Sequence, residues 1–157
     1  MSAVEGPAGE GRRGGGRPGP QLDLDNEAYW EGLRRGAVVV QECGACGRRR
    51  FGRLGACPHC GTPGGDDVEV SGEGTVYSFV RVHRALTPAM ADDVPYAVAT
   101  VDLDGGVRML GRVEPPDTAR IGARVVPRFV DHGDWTELRF AVRPEPDAAP
   151  EPDPAPR

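Results

Sequence analysis

Four cysteines, Cys43, Cys46, Cys57 and Cys60, fall in the pattern C-x2-C-x10-C-x2-C. Two thiolates at this spacing converge on one ion when the backbone between them turns its amides toward the sulfurs. Gly47 and Gly61, each directly after a pair, permit that turn. Two such knuckles facing each other complete a tetrahedral site, so the spacing predicts a zinc ribbon over residues 43–64. All four positions are then protein ligands and none is left for a reacting water, which makes the site structural rather than catalytic. Zinc is the expected ion. Iron is held by the same four ligands in rubredoxin-like knuckles and would imply an electron carrier. No Glu-x-x-His pair or other redox constellation accompanies the site. His59, between two ligands, reads as a solvated spacer.

The stretch between the knuckles carries Arg48, Arg49, Arg50 and Arg53 and no acid. One reading is charge compensation, because four thiolates around a divalent ion leave a net charge of about −2. The other is contact with phosphate, whose oxygens match the guanidinium fork.

Little other chemistry is available. All 19 basic residues are Arg, which excludes a Schiff-base lysine, a Walker-type phosphate-binding lysine and a lysine general base. The three serines, Ser2, Ser71 and Ser78, lie outside any G-x-S-x-G elbow. The run Gly72-Glu73-Gly74-Thr75-Val76-Tyr77 is followed by a strand pattern, which is wrong for a phosphate cradle at a helix terminus. His83 and His132 have no paired nucleophile. Asp92, Asp93, Asp102 and Asp104 lie beside turns, where Asp is favoured for backbone hydrogen bonding. The absence of Lys among many Arg, Gly, Ala and Pro fits a GC-rich bacterial source.

Several elements must position the cysteines. Of 157 residues, 23 are Gly and 16 are Pro, and they crowd toward the ends. Residues 1–21 and 144–157 are expected as disordered tails, since neither can bury enough apolar surface to offset chain entropy. Residues 22–42 are expected to hold a docking helix and a lead-in strand. Asp25 is the expected N-cap, Arg34 and Arg35 suit the C-terminal end of the helix dipole, and Gly36 suits a left-handed stop. Tyr29, Trp30 and Leu33 form a short apolar stripe on a helix too short to stand alone, which must dock on this chain's core or on a partner. Residues 38–40 then form a strand. Residues 65–143 are assigned to a barrel domain, and from Gly74 onward they read as β throughout, with strands at 75–83, 94–103, 107–113, 124–130 and 135–142 and turns at 104–106 and 131–134. Five short strands suit a small closed barrel of OB type, which removes exposed edges. Pro115-Pro116 shortens or removes the helix between its third and fourth strands. The fold class is mainly β: a short helix, a rubredoxin-like zinc ribbon and a five-stranded OB-type barrel.

The net charge is −5. Within residues 21–143 it is −3, from 15 Arg against 18 Asp plus Glu. That balance argues against a non-specific nucleic-acid binder, which needs a basic footprint. No run reaches the ~18 apolar residues of a membrane span, and no apolar leader opens the sequence. A cytoplasmic location without membrane contact is expected.

The ordered set of a Tyr-Trp helix, CGACG…CPHCG, SGEGTVYSFVRVHRA, VPYAVATVDLDGGVRMLGRV and RIGARVVPRFV resembles the acyl-CoA-associated family with a rubredoxin-like zinc ribbon followed by an OB fold. It covers roughly residues 23–142. Relatives often carry Pro-Pro-Arg after the first knuckle, where this chain has Phe51-Gly52-Arg53. The resemblance implies a non-catalytic accessory subunit of a thiolase-like enzyme (thiolase, aldolase or acyltransferase) that helps hold the CoA thioester. It implies docking through Tyr29, Trp30 and Leu33, and contact of Arg48, Arg49, Arg50 and Arg53 with CoA phosphates. The competing class is a single-stranded nucleic-acid module, in which Tyr77, Phe79 and Tyr96 would stack bases.

Overall fold

The structure, a computed structural model, describes residues 19–21, 23, 26–85 and 87–144. Residues 1–18 and 145–157, on which most of the expected tails fall, and the expected N-cap Asp25 lie outside the described residues.

Helix α1 spans Glu27–Arg34. It stops as its sequence requires: Gly36 adopts φ 78°, its amide donates to the Leu33 carbonyl at 3.0 Å, and the Ala37 amide donates to Gly32 at 2.9 Å. This pair of bonds is a Schellman closure, and glycine is the residue that enters its left-handed position without steric cost. The N-terminal cap position is Asn26, whose Nδ2 donates to the Gln21 carbonyl at 3.0 Å.

Strand β1, Val38–Glu42, follows at once and is the centre of a three-stranded antiparallel sheet. On one side it pairs with β2, Arg49–Arg50, and on the other with β3, Asp66–Val70. The barrel domain is expected from residue 65, but its first strand begins at Gly74: Val68 and Val70 align with Val40 and Val38 of β1, so the ribbon sheet continues to Val70.

The barrel is closed by five strands: β4 Gly74–Val82, β5 Tyr96–Leu103, β6 Arg108–Glu114, β7 Arg124–Asp131 and β8 Thr136–Val142. Their order is β4-β5-β6-β8-β7, with β6 and β8 parallel and the remaining pairs antiparallel. Only a 3-10 turn, Pro116–Thr118, stands between β6 and β7. Inward positions alternate with outward ones: Ala97, Ala99, Val101 and Leu103 on β5, Leu138 and Phe140 on β8.

Ribbon and barrel share one core. Leu33, Val38 and Val40 lie in the same buried cluster as Val76, Val101, Met109, Val125 and Phe140. This corrects the expected docking role of Leu33. At 1% exposure it packs within the chain's own core and presents nothing to a partner. Tyr29 and Trp30 pack partly on that core and keep some surface. Residues 19–21, expected in a disordered tail, also have partners here: Gly19 lies so close to Trp135 that a Cβ would sit 3.0 Å from its Cδ1.

Two tests follow from this packing. A Cβ at Gly111 would stand 2.5 Å from Cε2 of Phe140, which is fully buried and cannot yield. Gly111→Ala is expected to cost about 1–3 kcal/mol in denaturant unfolding while leaving metal content intact. Asp102 and Asp104 are held below the usual carboxylate range, chiefly by hydrogen bonds from Arg108 and Arg124. A depressed folded pKa contributes stability above the unfolded value near 3.8, lost as pH falls through the folded one. The barrel is therefore expected to lose stability below about pH 4, and Asp102→Asn/Asp104→Asn to flatten that loss.

Candidate metal centre

The knuckles form as their spacing predicts. In the first, the Gly47 amide donates to Cys43 O at 2.8 Å and the Cys43 amide donates to Arg48 O at 3.0 Å. The second repeats this, with Gly61 N to Cys57 O at 2.8 Å and Cys57 N to Thr62 O at 2.8 Å. Gly47 and Gly61 take φ values of 67° and 75°, which close each turn and leave the sulfurs on one side. Strand β1 delivers the first knuckle and β2 leads out of it. The bridge between Ala56 and Pro63 brackets the second.

The four Sγ atoms lie within 4.8 Å of one another, with Cys43–Cys60 at 3.6 Å and Cys46–Cys57 at 3.7 Å. No disulfide links them. Metal–sulfur bonds of ~2.3 Å in a tetrahedron require sulfur edges of roughly 3.8 Å, so the donor set fits a tetrathiolate ion. Cys43 and Cys57 are buried, and Cys46 and Cys60 face outward. The Thr62 hydroxyl, 3.3 Å from Cys60 Sγ, and the Thr62 amide hold the Cys60 thiol down at about 6. The amides of Cys60 and His59 lower Cys57. Cys46 receives the Arg48 amide, which lowers it, but desolvation and the three neighbouring sulfurs outweigh that and push the thiol up to about 11. Four sulfurs this close cannot all ionise without a cation among them. Thr62 was absent from the sequence reading; its signal was the position two residues beyond Cys60.

The arginines of the ribbon have other work. Arg49 donates to Glu42 at 2.6 Å and to Gly105 O at 3.2 Å, tying the ribbon to the turn between β5 and β6. Arg50 donates to Gly64 O at 2.7 Å, and Arg53 pairs with Asp67 of β3. Arg48 alone among the four has no side-chain partner among the described residues. Each aromatic ring that would stack bases has one of the chain's own guanidinium groups over a face. Arg108 lies 3.6 Å above Tyr77, Arg112 4.1 Å above Tyr96 and Arg81 5.6 Å above Phe79. Among the described residues no helix is long and apolar enough to cross a membrane.

Fold and site together define a small protein with a rubredoxin-like tetracysteine ribbon fused through a common core to an OB barrel. Residues 30–64 match the ChsH2 rubredoxin-like zinc ribbon domain, and residues 67–130 match the ChsH2 C-terminal OB-fold domain. The chain belongs to this family, also designated DUF35. It is 38% identical over 112 residues to a probable enoyl-CoA hydratase alpha subunit of Thermomonospora curvata, covering 70% of this chain and 34% of that protein. It thus spans about a third of that curated relative's length. A DUF35 domain-containing scaffold protein of Methanothermobacter thermautotrophicus is 31% identical over 91 residues, which cover 56% of this chain and 68% of that one. Among solved structures, a chain of the Ltp2-ChsH2(DUF35) aldolase superposes with a TM-score of 0.70 at 33% identity, covering 78% of this chain and 98% of that chain.

Elemental analysis of the purified chain is expected to give one metal ion per molecule. Cys43→Ser and Cys60→Ser are each expected to reduce it to near zero, because apparent binding free energies of about 10–16 kcal/mol depend on the complete ligand set.

Proposed function

We propose that this chain is a non-catalytic zinc-binding accessory subunit that docks on a thiolase-fold acyl-CoA enzyme and helps hold its CoA thioester. The observation that carries the reading is the match to the aldolase chain, which is accounted for over nearly its whole length. The metal site supports it, because four cysteines surround the ion and leave no open coordination position. Zinc is the ion we assign, in keeping with the matched ribbon domain. The hydratase relative is matched over 34% of its length, so its activity is not carried over. Reacting groups are assigned to the partner.

Arg48 is the guanidinium we assign to a CoA phosphate. It is exposed beside a cleft of about 420 Å³ formed by Gly47, Arg48 and Arg49 of the ribbon and residues 104–106 of the barrel. Arg49, Arg50 and Arg53 are held by internal partners and are left out of that role.

Co-expression with thiolase-fold enzymes encoded beside it is expected to yield one stable complex whose acyl-CoA turnover collapses when this chain is omitted. In that complex Arg48→Ala is expected to raise KM for the CoA thioester by about two- to fivefold with kcat unchanged, the range of an exposed charge contact. No complex with any such enzyme, together with salt-sensitive binding to single-stranded DNA, would overturn the reading.

A further inference from the structure

A second cleft, of about 430 Å³, lies against α1 and is lined by Trp30, Trp135, Glu27, Glu31, Asp134 and Arg34, together with Gly19 and Pro20, the former packed on the Trp135 ring. Trp30 and Trp135 meet edge to face at 6.0 Å and 82°, forming an aromatic corner. The corner is braced from behind. His132 stacks on Trp135 at 4.4 Å, and His132 Nε2 lies 2.9 Å from Glu137, which also pairs with Arg139. The Tyr29 ring packs on Trp30 at 5.0 Å. The indoles are thus fixed by half-buried neighbours while both keep exposed surface.

The charge at this cleft is one-sided. Elsewhere in ribbon and barrel several arginines are matched by carboxylates, as in Arg49–Glu42, Arg108–Asp102 and Arg124–Asp104. Glu27, Glu31 and Asp134 form no ion pair among the described residues. With Arg34 as the one opposing charge on the rim, three carboxylates leave the cleft net negative. An aromatic corner rimmed by unpaired carboxylates matches one side chain above others. A guanidinium stacks flat on an indole and donates in its own plane to carboxylates, whereas an ammonium is a hydrated point charge. Trp and Arg are also the residues that most often anchor protein interfaces.

From this geometry we infer that the Trp30–Trp135 cleft is the docking site for an arginine side chain presented by the partner enzyme's surface. The inference rests on the accessory-subunit reading for the partner's identity, and on the cleft's own chemistry for the arginine. It also replaces the expected stripe of Tyr29, Trp30 and Leu33: Trp30 contacts the partner, Tyr29 braces it, and Leu33 stays in the core.

Trp30 and Trp135 are the only two tryptophans of the chain, so intrinsic fluorescence reports on this cleft alone. The full chain is titrated with acetyl-Arg-Arg-Arg-amide, its lysine counterpart and acetyl-Pro-Pro-Pro-amide. The arginine peptide is expected to change Trp emission saturably and the lysine peptide more weakly. The triple variant Glu27→Gln/Glu31→Gln/Asp134→Asn is expected to weaken arginine binding about tenfold without altering metal content or melting. An unchanged affinity in the triple variant, or a response to the proline peptide alone, overturns the proposal. Changing Arg12, Arg13 and Arg17 to Gln is expected to leave peptide affinity within about twofold. A large gain would make the chain's own N-terminal segment the occupant and overturn it too. With the thiolase-fold partner, the triple variant is expected to weaken the complex to a similar degree. A complex indifferent to it sinks the docking site and leaves the accessory function standing. Arginine-peptide binding without any thiolase-fold partner does the reverse.

Discussion

Four sulfur atoms confined within 4.8 Å of one another set the terms for the rest of the molecule. As thiolates they repel strongly, and only a cation at their centre turns that repulsion into binding. The backbone prepares for it: amides of the two knuckles point at the sulfurs, Thr62 holds Cys60 toward the charged form, and two left-handed glycines make the turns. Once the two knuckles are clamped, β1 and β2 are fixed in register, and β3 is brought alongside β1. A ribbon of this size has too little apolar surface to fold on packing alone.

The clamp reaches further because ribbon and barrel are not separate bodies. Val38 and Val40 of β1 and Leu33 of α1 enter the same apolar cluster as the barrel strands. Gly105, in the turn between β5 and β6, approaches β3 so closely that a Cβ would meet Val70 at 2.6 Å, while Arg49 donates across the junction to its carbonyl. The arginines of the ribbon therefore serve chiefly as ties to carboxylates and carbonyls. Charge compensation is local, by Glu42 and Asp67.

Those parts of the fold that depend on local spacing were legible in the sequence. The cysteine pairs, the glycine after each, and the Gly36 stop each need only a few neighbouring residues. What was hidden depends on pairing across the chain. No strand is expected between residues 65 and 74, yet β1 offers Asp66–Val70 hydrogen bonds and places Val68 and Val70 against the core. Leu33 on a short amphipathic helix looks the same whether it faces a partner or its own barrel. The guanidinium caps on Tyr77 and Tyr96 and the meeting of Trp30 with Trp135 join residues that no sequence window contains together. Chemistry carried by a motif was visible, and chemistry carried by a surface was not.

The proposed function gives this construction a use. A subunit whose metal serves its architecture can present a rigid surface to an enzyme that supplies the reacting groups. An ion held by the four sulfurs would organise ribbon and barrel as one cooperative unit. Hydrogen exchange of the full chain with metal bound and after chelation tests it most directly. Loss of protection in β1, β4 and β8 together, in a single step, is the predicted result. A ribbon that opens while the barrel amides keep their full protection would contradict it.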